Sequence, residues 1–303
     1  MDITNQIQDI LIRAGNYIHG RDSEQDLGIT YTSILEWKEE SGMITSTTTT
    51  AKSSDNDEGT TATQQQNDET RREWYKTGYD YWEDETNCAP TVDGVLGGFA
   101  HLSKKDLKGS ADFIRYLKSS GIRPELQLTK EENGGVDTRA CECGAGIGRV
   151  SKGLLLPLGI TQCDLVEPSP RLISSAPDYL GDQYSSQCRY FCTGLQEFTP
   201  KPDYYDIIWI QWVIGYLTDD DLVDFLKRCA KGLRKGGVVV IKDNTCESEA
   251  FVVARDDGSA TRSFPYILAI AELAGFRVVY QRFQEDFPDS IFPVPIIALA
   301  PKI

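Results

Sequence analysis

Residues 142–149 read ECGAGIGR, with glycine at three alternate positions, Gly144, Gly146 and Gly148. The residue pattern before this stretch predicts a strand over 138–143, and the pattern after it predicts a helix over 149–158. Glycines at a strand-to-helix junction let a bound cofactor approach the backbone closely. The stretch therefore predicts the cofactor-binding turn of an α/β fold.

Strands and helices alternate through the rest of the chain after residue 68. This order predicts a Rossmann-like fold with a doubly wound, mostly parallel seven-stranded sheet and an N-terminal helical lid. The predicted strands cover 138–143, 162–167, 189–192, 205–211, 237–242, 276–283 and 295–300, and the predicted helices cover 69–81, 104–119, 149–158, 170–180, 219–233 and 263–274.

The spacing of the glycine turn separates two classes of cofactor. A dinucleotide-binding turn needs a third glycine in the pattern GxGxxG, and Arg149 occupies that position. Arg149 therefore disfavours a nicotinamide cofactor and suits the carboxylate of S-adenosylmethionine. Glu167 ends the next strand, where an acid typically accepts hydrogen bonds from ribose hydroxyls. Leu195 and Gln196 follow the third strand and are placed to contact an adenine edge.

More polar and aromatic residues follow the later strands. Gln211, Trp212 and Tyr216 lie at and beyond the end of the fourth strand, and Asn244 follows the fifth. In open α/β sheets ligands bind outside the carboxyl ends of the strands, so these side chains are expected beside the methyl donor. Trp82 precedes the sheet as part of the lid. Such an aromatic and acidic pocket suits a basic, proline-containing peptide end.

Composition excludes several classes of function. The formal charge of −15 opposes direct nucleic-acid binding and favours basic partners. The eight cysteines lack paired CxxC spacing, so we expect reduced thiols and no metal site. The sequence has neither a membrane-spanning apolar run nor a recognisable leader, which predicts a cytoplasmic or nuclear protein.

Three regions are predicted along the chain. Residues 1–40 have apolar positions at helical spacing and predict a helical appendage. Residues 41–68 are polar and repetitive and predict a disordered linker. Residues 69–303 predict the catalytic domain.

Several longer segments resemble the eukaryotic protein N-terminal α-N-methyltransferases that recognise an Xaa-Pro-Lys or Xaa-Pro-Arg terminus. The likeness runs from about residue 74 to 299 in the same order. It rests on YW (81–82), PTVDGVLGGFAHLS (90–103), CGAGIGR (143–149), LLLP (154–157), GLQEFTP (194–200), YDIIWIQWVIGYLTD (205–219) and IKDN (241–244).

The resemblance implies roles for individual residues. The residues implied to contact S-adenosylmethionine are Gly144, Arg149, Glu167, Leu195, Gln196 and Gln211, with Gly146 from the same turn. Those implied to hold the peptide are Trp82, Leu96, Leu102, Trp212 and Asn244, and the catalytic set is Asp257, Tyr216 and Asn244. Tyr216 stands where the family has histidine, and Asp257 best matches the family's base. Ala254 replaces an acid that meets the third substrate residue, a role that Asp256 is placed to take.

Three alternatives stay open. One is a methyltransferase for a small molecule or a side chain, and another is an inactive domain of the same fold that binds peptides. A nicotinamide oxidoreductase is a third, which Arg149 disfavours.

Overall fold

A computed structural model describes residues 2–22, 59–247 and 249–302 of the protein. Its helices are α1 (Ile3–Arg13), α2 (Gly59–Glu83), α3 (Ser103–Ser119), α4 (Pro170–Leu180), α5 (Asp219–Gly232) and α6 (Phe264–Leu273). Its strands are β1 (Arg21–Asp22), β2 (Arg139–Cys143), β3 (Gln162–Glu167), β4 (Cys188–Cys192), β5 (Tyr205–Gln211), β6 (Leu233–Lys242), β7 (Phe251–Val253), β8 (Ala260–Arg262), β9 (Phe276–Phe283) and β10 (Pro295–Pro301).

The predicted seven-stranded sheet is confirmed. Its order is β4-β3-β2-β5-β6-β10-β9, and β10 is antiparallel to both of its neighbours while the other pairs are parallel. The central strand β5 is buried along its whole length, as expected for a strand with helices on both faces. Its side chains alternate between two cores: Ile208 and Ile210 enter one, and Ile207 and Trp209 enter the other. The sheet is therefore doubly wound, and its carboxyl edge is free to form a site.

The helix predicted over 149–158 is different in the structure. After Arg149 and Val150 the backbone forms a π-helical segment, Ser151–Leu155, in which the Leu156 N–H donates to the Ser151 carbonyl at 3.1 Å. The buried Glu142 carboxylate accepts the N–H groups of Val150 and Ser151 at 3.2 and 2.7 Å. Single π-helical turns of this kind are frequent at functional sites.

The N-terminal region also differs from its prediction. Helix α2 begins at Gly59, so 59–68 extend a helix instead of belonging to the linker, because adding residues to a nucleated helix costs much less than starting one. Residues 2–22 are not a separate appendage: Ile7 and Leu11 of α1 lie in the same core as β5, and α1 packs against α5 and α6. The predictions for 23–58 lie outside the described residues.

No helix in the described part of the chain is both long and apolar enough to cross a membrane. Within those same residues, no cluster of His, Cys, Asp and Glu side chains is suited to hold a metal ion.

Candidate active site

A cavity of about 340 Å³ opens at the carboxyl edge of the sheet, between the turn after β2 and helix α2. Most of the residues predicted from sequence meet on its wall. These are Gly144, Gly146, Arg149, Glu167, Leu195, Gln196, Gln211, Trp212, Tyr216, Trp82 and Leu96. Two other predicted residues within the described part of the chain, Leu102 and Asn244, do not line the cavity. Leu102 is buried, and the backbone N–H of Asn244 donates to Asp243 Oδ1 at 2.8 Å.

The glycine turn forms the floor of the cavity. Gly144 has φ of +69°, and a Cβ there would lie 2.7 Å from the Cβ of Val213, so the turn excludes any larger residue. The N–H of Gly146 donates to Glu167 Oε2 at 2.9 Å, and the N–H of Ser169 donates to Oε1 at 3.0 Å. Burial raises the pKa of Glu167, and these two donors counteract the rise. Glu167 is thereby fixed at the wall with lone pairs left for a ligand hydroxyl.

A buried ionic cluster adjoins the cavity residues Arg149 and Gln211. The carboxylate of Asp106 in α3 is fully buried; it meets Arg149 Nη1 at 2.8 Å, is paired with Lys242, and accepts from Gln211 Nε2 at 3.0 Å. Burial alone would raise the pKa of Asp106, but the charges of Lys242 and Arg149 outweigh it and lower that pKa. Asp106 therefore stays ionised and fixes two of the predicted cofactor residues.

Asp106 is not among the residues predicted from the sequence, although its position on α3 carries a signal. Asp106, Ser110, Phe113 and Leu117 are all buried and recur at helical spacing along one face of α3. An acid on the buried face of a helix needs a cationic partner, and Lys242 and Arg149 are remote in sequence.

The loop after β5 is held in an uncommon conformation. Trp212 has φ of +53°, and the Arg149 guanidinium lies 5.4 Å from the centre of its ring. Asp243 accepts from the N–H groups of Val213 and Ile214 at 2.9 and 3.1 Å, and burial raises its pKa to about 6. Residues in such a conformation cluster at functional sites because the surrounding structure must stabilise the strain.

Tyr216 and Asp257 form a hydrogen-bonded pair at the cavity. The Tyr216 hydroxyl donates to Asp257 Oδ2 at 2.6 Å, while Asp257 Oδ1 accepts the Ser259 N–H at 2.9 Å. Tyr216 and Gly258 line the cavity, and Asp257 lies behind them. Burial, followed by the charge of Asp257, raises the pKa of Tyr216 well above its usual value, so its phenol remains protonated.

Hydrogen bonds at two positions along helix α2 hold it against the cavity. Trp74 Nε1 donates to the Tyr216 carbonyl at 2.6 Å, and the Tyr75 hydroxyl bonds Asp221 at the start of α5. Nearer its end, Ser169 Oγ donates to Glu83 at 2.5 Å and Arg171 donates to the Trp82 carbonyl at 2.8 Å. The helix thus forms a fixed wall that carries Trp82.

Comparisons with known proteins identify the family of the chain. A family model described as AdoMet-dependent proline di-methyltransferase matches residues 70–300, AdoMet being S-adenosylmethionine. The chain belongs to this family. It is therefore an AdoMet-dependent methyltransferase, and the nicotinamide alternative is excluded.

Individual family members show how far the likeness extends. The N-terminal Xaa-Pro-Lys N-methyltransferase 1 of Xenopus tropicalis is 43% identical over 75% of this chain and 95% of its own length. The Danio rerio protein of the same name is 40% identical over 76% of this chain and 97% of its own. A solved SAM-dependent methyltransferase from Leishmania major superposes with a TM-score of 0.70 and 32% identity, covering 93% of this chain and 96% of that one. The structural likeness therefore reaches beyond residues 70–300 into the N-terminal region.

Proposed function

We propose that this methyltransferase acts on the α-amine of proteins that begin Xaa-Pro-Lys or Xaa-Pro-Arg. The observation that carries the proposal is the Tyr216–Asp257 pair at the cavity wall, which is a proton acceptor suited to an amine. The names of the Xenopus tropicalis and Danio rerio relatives support the same substrate class.

The cavity wall fits AdoMet in its donors and acceptors. Arg149, oriented by Asp106, is placed to pair with the carboxylate, and the buried Glu167 is placed to accept ribose hydroxyls. Leu195 and Gln196 supply an apolar surface and an amide for the adenine. Gly144 and Gly146 permit close approach, and Gln211 completes the wall beside Arg149. When bound, AdoMet supplies a methyl group on a sulfonium, which a neutral amine attacks.

Proton removal follows from the geometry of the pair. An α-amine has a pKa near 8, so most of it arrives protonated at pH 7. Tyr216 reaches the cavity and Asp257 does not, so the proton moves from the ammonium to the phenol oxygen as the phenol proton moves to Asp257 Oδ2. The amine is left neutral and Tyr216 remains a phenol. Tyr216 thereby takes the place of the histidine that the resemblance implies at this position.

Aromatic and apolar walls suit the proline in the second position. Trp82 meets Tyr216 edge-on, with ring centres 6.0 Å apart, and Leu96 and Trp212 line the same cavity. Proline has a fixed φ and no N–H, so it can be buried there without leaving a donor unsatisfied. We assign peptide contact to Trp82, Leu96 and Trp212. Leu102 and Asn244, which the resemblance also implies, lie off this wall.

An acidic hollow suits the basic third residue. It borders α2 on the side of the Asp257 loop and is lined by Glu73, Asp80, Asp84 and Asp256, with Lys76 as its cation. Tyr81 lines the same hollow, and after burial the nearby charges of Asp256 and Asp257 raise its pKa. The hollow therefore lies next to the Tyr216–Asp257 pair. Asp256 therefore compensates for Ala254, where the family carries an acid.

The overall charge of −15 also favours basic protein termini over nucleic acid. We propose that the protein acts in the cytoplasm, the nucleus, or both.

Initial rates on matched peptides test this assignment. Peptides that start Ala-Pro-Lys, Ala-Gly-Lys and Ala-Pro-Glu should differ, with the first at least about tenfold faster in kcat/KM, since roughly 1.4 kcal/mol corresponds to tenfold. Asp256→Lys should reduce the preference for Lys over Glu, while Asp289→Lys, a change at an exposed position, should keep it. Equal rates on all three peptides would show that the site does not read this terminus.

A further inference from the structure

We propose that residues 2–22 hold the β7–β8 hairpin so that Asp257 meets Tyr216. The inference builds on the proposed role of Asp257. These residues lie outside the family model, which begins at residue 70, so the family match assigns them no role.

The hairpin is weak by itself. Strands β7 and β8 have three residues each, and the turn between them carries Asp256 and Asp257. A two-stranded hairpin of this length is marginal in water without further strands. Strand β1 adds a third strand, parallel to β7, with Arg21 opposite Val252 and Asp22 opposite Val253.

Further contacts fasten β1 to the segment that enters the hairpin. The Ala250 N–H donates to the His19 carbonyl at 2.7 Å, and Arg21 Nε lies 2.8 Å from Glu249 Oε1. Gly20 packs so closely on the buried Phe251 ring that a Cβ would lie 2.2 Å from it. Helix α1, which precedes residues 19–21, is anchored in the core by its buried residues Ile7 and Leu11.

The opposite side of the hairpin is attached to the Tyr216 loop. Arg262 of β8 is fully buried and donates to the carbonyls of Ile214 and Leu217 at 2.8 and 2.7 Å. These two carbonyls flank Tyr216. Arg262 therefore fixes one edge of the hairpin to Tyr216, and β1 fixes the other edge to the core, which together set the 2.6 Å distance between Tyr216 and Asp257.

Gly20→Val tests the inference, because the added side chain must push β1 away from Phe251. We expect kcat on an Ala-Pro-Lys peptide to fall at least about tenfold, since a shift of about 1 Å at a catalytic group can cost about a hundredfold. The Kd for AdoMet should stay within about twofold. Amide hydrogen exchange over 249–262 should become at least about tenfold faster. The matched control is Ile12→Ala, in the same segment at a side chain that is 57% exposed, and it should change none of these values.

Two results would overturn the inference: unchanged exchange over 249–262, or faster exchange with an unchanged kcat. If Gly20→Val does not fold, Arg21→Gln removes only the ion pair to Glu249 and should shift the same readouts in the same direction by a smaller factor. The exchange measurement needs no peptide. If the proposed peptide turns out not to be a substrate, hydrogen exchange still tests whether residues 2–22 stabilise the hairpin.

Discussion

Replacing Asp257 with asparagine should abolish proton acceptance while preserving the hydrogen bond to Tyr216. The amide oxygen of asparagine can still accept the phenol proton's hydrogen bond at the observed 2.6 Å, but it cannot take the proton. Loss of a general base typically costs about a hundredfold to ten-thousandfold in rate. We expect kcat to fall within that range and the Kd for AdoMet to stay within about twofold, because Asp257 does not line the cofactor cavity.

The companion variant Tyr216→Phe removes the connection between the amine and Asp257. The proposed proton path passes through the phenol, so kcat should fall about as far as in Asp257→Asn, by about a hundredfold to ten-thousandfold. A double variant should be little worse than Asp257→Asn alone, because the two residues act as one unit.

The pH profile distinguishes a base from a structural residue. An amine with a pKa near 8 is about one-tenth neutral at pH 7 and about nine-tenths neutral at pH 9. The deficit of Asp257→Asn should therefore shrink by up to about tenfold between these values, measured as AdoMet-dependent methylation by mass spectrometry. Asp224→Asn, a change at an exposed position on α5, serves as the control. A deficit that stays constant with pH, or a normal kcat, would refute the role of Asp257.

Three further predictions concern the cofactor end of the cavity and the buried acids. Arg149→Gln should weaken AdoMet binding about tenfold or more in calorimetry and change kcat at saturation much less; an unchanged Kd would remove Arg149 from the cofactor site. Asp106→Asn leaves Lys242 and Arg149 buried without their counter-charge and should lower the free energy of unfolding by about 3–5 kcal/mol in urea titrations, whereas a loss below about 1 kcal/mol would contradict the cluster. Burial raises the pKa of Glu142 from 4.5 to about 7, so the folded state binds the extra proton; this contribution to stability is complete below about pH 4.5 and is lost as pH rises through 7. Thermal unfolding of the cofactor-free protein should therefore show lower stability at pH 8 than at pH 5.5 and a smaller difference in Glu142→Gln; an identical difference in the variant would contradict this assignment.

Local patterns were enough to predict most of the fold. The glycine turn, Arg149 and the alternation of strands with helices are short-range features, and the strands at Gln162–Glu167, Tyr205–Gln211 and Phe276–Phe283 have the predicted bounds. Residues at the ends of parallel strands meet at one edge by topology alone. The gathering of Glu167, Gln196 and Gln211 on one cavity wall follows from that rule.

Features that depend on remote partners could not be predicted in the same way. The 149–158 segment has the pattern of an ordinary helix. That pattern predicts neither its π-helical turn nor the hydrogen bonds from Val150 and Ser151 to Glu142 of the preceding strand. The apolar spacing of Ile7 and Leu11 indicates a helix but not the surface on which it packs. Strands β1, β7 and β8 are too short for alternation to reveal them.

The Tyr216–Asp257 pair shows the same division. The resemblance implies Tyr216 and Asp257 as separate residues, yet their hydrogen bond joins two positions 41 residues apart, one of them in the turn between β7 and β8. Only the three-dimensional arrangement shows that Tyr216 reaches the cavity and Asp257 stands behind it.

The most direct test of the central claim is mass spectrometry of an Ala-Pro-Lys peptide incubated with the protein and AdoMet, beside the same peptide acetylated at its N-terminus. The account predicts mass gain in steps of one methyl group on the free peptide and none on the acetylated one. A mass gain on both peptides would show that a side chain is methylated instead of the α-amine. Gain on neither, with AdoMet binding intact, would contradict the proposed substrate.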